Sequence, residues 1–148
     1  LTEFFLPYSA RREILRHAME CWPEECVGLL SGNQEPARTW RLTNVAHHAA
    51  TFLVDAAEQQ QVYADIEDAG HDRLAVYHSH VRSGPRPSDS DIAHAEPGIL
   101  YVIVSMAVGY RGEFGAFCVE VVDGHLRAAA VKLTASPRLE ECEERRSA

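Results

Sequence analysis

The run "ILYVIVSM", residues 99 to 106, is apolar almost without alternation. A strand with one face in water alternates apolar and polar side chains, so a run like this one needs cover on both faces. That requirement favours a sheet held between layers over a sandwich or a bundle.

The rest of the chain supplies the cover. Ile14, Leu15, Ala18 and Met19 recur at helical spacing and predict an amphipathic helix from Ser9 to about Cys21. Pro23 stops it, "CVGLLSG" predicts a strand ending at the Gly32-Asn33 turn, and "ARTWRLTNV" reads as its hairpin partner. "TFLV" predicts a further short strand, Asp55 caps the helix "AAEQQQVYADIEDAG", and Gly70 ends it. "RLAVYHSH" reads as a central strand followed by a loop rich in Gly and Pro. Ser88 then restarts a short helix, "DSDIAHA", which Pro97-Gly98 ends, and Asp123-Gly124 joins "EFGAFCVEVV" to "HLRAAAVKL" as a hairpin. Strands and helices interleave, so the expected fold is α/β with three layers, a mixed central β-sheet flanked by helices. One domain is expected over residues 1-135, with a charged tail, "SPRLEECEERRSA", mobile or partner-facing at 136-148.

Charge and cysteine usage exclude several classes. A net charge of -8 argues against nucleic acid, whose binders carry a basic patch to displace counterions. No apolar run approaches the ~20 residues needed to span a bilayer. The start, "LTEFFLPYSARRE", lacks the layout of a signal peptide, so a cytoplasmic location away from membranes is expected. Cys21, Cys26, Cys118 and Cys142 form no C-x-x-C pair, which leaves them as buried or incidental reduced thiols.

The chemistry concentrates in "YHSHVRSGPRPSDSD", residues 77 to 91. Side chains two apart on a strand share a face, so Leu74, Val76, His78 and His80 form one row while Tyr77 and Ser79 face the other way. Two such imidazoles can close on one metal ion, and a catalytic zinc site needs a third protein ligand plus an open position. Asp91, in the first turn of the next helix, is the candidate for the third. The same residues have ordinary readings as well: Ser88-x-x-Asp91 fits a helix capping box, and strand-end histidines often bond backbone. The remaining histidines, among them His47, His48 and His94, are expected on the surface or bonded to backbone. Trp22 and Trp40 are expected in the core or at its rim.

Taken together, His78-x-His80, seven residues, Ser88, two residues and Asp91 make the pattern H-x-H-x7-S-x2-D. This resembles the signature of the JAMM, or MPN-plus, zinc metallopeptidases. That family also has a glutamate far upstream, after a proline and before a strand glycine, and "PEECVGLL" places Glu25 between Pro23 and Gly28. Many bacterial members have Pro after the second His and Cys before the glycine, where this chain has Val81 and Val27. The resemblance spans about residues 9 to 133. It implies a cytidine-deaminase-like architecture and one Zn2+ per chain held by His78, His80 and Asp91. Glu25 would be the general base and Ser88 the oxyanion donor.

The implied reaction is hydrolysis of a peptide or isopeptide bond after the C-terminal Gly-Gly of a ubiquitin-like or sulfur-carrier protein. The compact form resembles bacterial members that release cysteine from a carrier. The alternatives are an isopeptidase on another conjugate, hydrolysis of a small amide, and a metal-free scaffolding module of the MPN type. The patterns H-E-x-x-H and H-x-E with P-C-x-x-C are absent from the chain.

Overall fold

The computed structural model describes residues 1–135; the expected tail and Cys142 lie outside the described residues. The main sheet has six strands in the order β3-β2-β4-β5-β6-β7. They are β2 (Val27–Gly32), β3 (Arg38–Leu42), β4 (Asp72–His80), β5 (Tyr101–Ser105), β6 (Phe114–Val122) and β7 (His125–Ala130). Within it only β4 and β5 run parallel, so the chain must cross back between them. Helix α3 (Asp89–His94) lies in that crossover. A separate parallel pair joins β1 (Glu3–Phe5) to β8 (Lys132–Thr134).

The strand β5 is buried on both faces, as its composition requires. On one side Val102 and Val104 meet Ala10, Ile14 and Ala18 of α1 (Tyr8–Cys21) together with Leu30 and Tyr77. On the other, Ile103 packs with Ala95, Phe117 and Val119. Val62 and Ile66 of α2 (Ala56–Asp68) cover Val27 and Leu29. The expected layers are present: a mixed sheet with helices on both faces. No helix among the described residues is long and apolar enough to cross a membrane.

Local signals mostly act as read. The Asp55 carboxylate accepts from the Glu58 N–H and caps α2, and Gly70 follows with φ +71°. Asp123 and Gly124 both have positive φ, the geometry of a two-residue hairpin turn. Gly28 lies against the ring of its cross-strand partner Tyr77, which a Cβ there would overlap.

Several expectations change. Trp22, expected in the core or at its rim, is exposed. The N-cap of α1 is Pro7, without a side-chain cap, so Ser9 lies inside the helix. The segment "TFLV" is not a strand: Phe52 and Val54 pack beneath α2, while Asn44 Oδ1 accepts from the Leu53 N–H in place of a ladder partner. Leu74 leaves the row of Val76, His78 and His80, because the β2–β4 register shifts opposite it and the side chain packs on the α1 side. His17 is buried rather than superficial, with Nδ1 2.8 Å from the Tyr77 hydroxyl.

Candidate metal centre

The site lies where β4 ends and the chain leaves the sheet. His78 and His80 share a face of β4 and are 1% and 4% exposed. The loop after β4 returns α3 to the strand end and brings Asp91 over the two rings. Nε2 of His78 and Nε2 of His80 are 3.2 Å apart. His78 Nε2 is 3.3 Å from Asp91 Oδ1, and His80 Nε2 is 2.9 Å from Asp91 Oδ2. Around a tetrahedral ion with bonds of about 2.0 Å, neighbouring donors lie about 3.3 Å apart. Three donors at these separations suit a metal ion.

The proton inventory points the same way. His80 Nδ1 is 2.9 Å from the Gly84 carbonyl, which can only accept, so Nδ1 carries the hydrogen and Nε2 presents a lone pair. That lone pair faces the Asp91 carboxylate and the second imidazole, an arrangement that needs either a proton or a cation between them. Burial opposes a charged His80, but hydrogen bonds to Asp91 and Gly84 outweigh it and raise the pKa. His78 is pushed down by burial, with Asp91 opposing. Asp91 is also subject to burial, yet its bonds to both imidazoles hold it below the usual carboxylate range.

Glu25 stands apart from its half-buried neighbour Glu24, which pairs with His47. It is 3% exposed, and its Oε2 has no hydrogen-bond partner. The backbone before β2 holds it there: the Cys26 N–H donates to Ser79 Oγ, and Asn44 Nδ2 donates to the Glu25 carbonyl. Burial pushes its carboxyl up to about 8, with His80 lowering it and Asp91 raising it. A cation between the three donors would favour the ionised form.

Ser88 is the N-cap of α3. Its Oγ accepts from the Asp91 N–H while Asp91 Oδ2 accepts from the Ser88 N–H, a full capping box. The ordinary reading of Ser88-x-x-Asp91 is thus realised together with the cluster, because the box itself aims the carboxylate at the histidines. Ser88 still has its own hydroxyl proton to donate.

Supporting residues that spacing does not reveal complete the site. Ser105 Oγ donates to the Ser83 carbonyl, and Gly115 lets the Pro85 carbonyl approach β6 closely. The Phe52 ring lies 5.0 Å from that of His78. Asn44 follows a strand and looks like an ordinary loop residue, so only its contacts expose its role. A groove of about 720 Å³ opens beside His78 and Asp91, with Val76 and Tyr101 on the sheet side, Phe52 and Leu53 on one wall, and His94 and Ala95 on the other.

Known proteins share this arrangement of chain. A CysO-cysteine peptidase of Mycobacterium tuberculosis is 32% identical over 115 residues, covering 75% of this chain and 77% of that protein. A desampylase of Haloferax volcanii is 35% identical over 109 residues, 68% of this chain and 78% of its own. A solution structure from Desulfitobacterium hafniense, 24% identical, superposes with a TM-score of 0.71 over 90% of this chain and 94% of that one, which supports the fold. The family described as prokaryotic homologs of the JAB domain matches residues 7–115. The chain belongs to that family, the prokaryotic branch of the JAB, or JAMM/MPN, domains.

Proposed function

We propose that this chain is a cytoplasmic zinc metallopeptidase that hydrolyses the peptide or isopeptide bond after the C-terminal Gly-Gly of a ubiquitin-like or sulfur-carrier protein. The JAB fold would fill residues 1–135 as one domain. The observation that carries the reading is the convergence of His78, His80 and Asp91 at tetrahedral-edge separations beside the buried, unpartnered Glu25 carboxylate. Membership of the JAB family supports the reaction, and the relatives named for cleaving CysO-cysteine and for desampylation support the substrate class.

His78, His80 and Asp91 would hold the zinc. Bound there, zinc supplies Lewis acidity, polarising a carbonyl and lowering the pKa of water from about 15.7 to about 7. Glu25 takes the proton of the attacking water and passes it to the leaving amine. Its isolation from other hydrogen-bond partners keeps the carboxylate available for that transfer. The Ser88 hydroxyl, already fixed as a cap, donates its remaining proton to the carbonyl oxygen as charge develops on it. The extended tail lies in the groove along β4, where small glycines pass between Phe52 and α3.

Intact-mass spectrometry of a sulfur-carrier protein bearing one extra cysteine after its Gly-Gly end tests the reaction. Zinc-loaded chain is expected to remove that cysteine, and chelated chain to leave it. A carrier left whole by the zinc-loaded chain would remove the substrate assignment.

A further inference from the structure

We propose that Arg73 is the specificity-determining residue of the groove, reading an acidic side chain on the substrate tail about four residues before the scissile carbonyl. This rests on the peptidase reading above and adds the chemistry of the tail to it. The groove that opens at His78 and Asp91 reaches Arg73, near the opposite end of β4. Among the described residues Arg73 is the only lysine or arginine lining it, in a chain of net charge -8. The groove's acids, Asp91 and Glu96, belong to the α3 side, so charge is polarised across the walls.

The guanidinium of Arg73 lies 4.0 Å over the Tyr63 ring of α2. Stacking fixes its plane and leaves its N–H edge for a carboxylate, which it can engage through paired hydrogen bonds. No carboxylate among the described residues forms an ion pair with it. Because the register shifts at Leu74, Arg73 and His78 face Ser31 and Val27, four residues apart on β2, and at about 3.3 Å per residue they are separated by about 13 Å along the sheet. An extended tail advances at the same rate, which places its fourth residue before the scissile carbonyl abreast of Arg73.

The probes are three fluorescein-labelled peptides ending in Gly-Gly-Cys, identical except for Glu, Gln or Lys at the fourth position before the final glycine. Fluorescence anisotropy measures their binding to full-length Glu25→Ala chain incubated with zinc. At low salt the Glu peptide is expected to bind about fivefold tighter than the Lys peptide. Adding Arg73→Glu should invert that order. Equal affinities, an order unchanged by Arg73→Glu, or no binding by any of the three would overturn the inference. Charge-ranked binding with no cleavage of any Gly-Gly-Cys carrier by wild type would uphold Arg73 and remove the peptidase reading. Cleavage indifferent to the charge would do the reverse.

Discussion

Ser88 would serve two ends with one hydroxyl: its oxygen caps α3, which leaves its proton to donate elsewhere. The two uses separate by substitution. Ser88→Asn keeps an acceptor for the Asp91 N–H, so it is expected to fold and retain metal while kcat falls by about 10²-fold, the usual loss for an oxyanion donor. Wild-type turnover in Ser88→Asn would reduce Ser88 to a cap. His17 gives a prediction remote from the chemistry. Burial pushes its pKa down to about 4, with Arg41 adding to the fall and Glu20 opposing it. The unfolded histidine titrates near 6.5, so the unfolded state takes up the proton first, and stability drops as pH falls from about 6.5 to about 4. A shift of that size corresponds to about 3 kcal/mol. His17→Gln should flatten most of this slope in urea unfolding compared at pH 7 and pH 4.5, and an unchanged slope would show that His17 is not held neutral. At this scale the sequence exposes residues with fixed spacing, such as His78, His80, Ser88 and Asp91. It hides Asn44 and Ser105, whose roles depend on what the fold sets against their side chains.

The loop from Val81 to Pro87 is the element on which the site depends. It sets the Gly84 carbonyl against His80 Nδ1 and leads into α3, and it can do so because Gly115 leaves room for the Pro85 carbonyl. A Cβ at Gly115 would overlap that carbonyl. Gly115→Ala is expected to cost about 1–3 kcal/mol, as overpacking does. It should also weaken zinc affinity by pulling Gly84 from His80. Chelator competition alongside urea unfolding checks both effects; a loss of stability with unchanged zinc affinity would show that the loop does not orient the histidine. Elements bounded by local chemistry were readable in advance: Asp55 and Gly70 around α2, Asp123-Gly124 in the hairpin, Ser88 before α3. "TFLV" misled because aromatic and β-branched residues signal burial as much as pairing, and here burial beneath α2 suffices. The β1–β8 pair escaped because its partners are far apart in sequence and only the folded sheet brings them together.

Across the whole molecule, stability and chemistry occupy different regions. The apolar clusters fill both faces of the sheet, whereas His78, His80 and Asp91 gather at the end of β4. Chelation is therefore expected to abolish cleavage while leaving the far-UV circular dichroism unchanged, with activity restored by zinc. Loss of the helical signal on chelation would make the metal structural instead. The three-layer arrangement was legible because an uninterrupted apolar strand requires two covers, and the amphipathic helices were visible as those covers. The most direct test of the central claim is native mass spectrometry of wild type, Glu25→Ala and His80→Ala, each then given the same Gly-Gly-Cys carrier. One zinc is expected in wild type and in Glu25→Ala and none in His80→Ala, with the carrier shortened by wild type alone. Zinc retained at wild-type level by His80→Ala, or a carrier cut by zinc-loaded Glu25→Ala, would contradict the account.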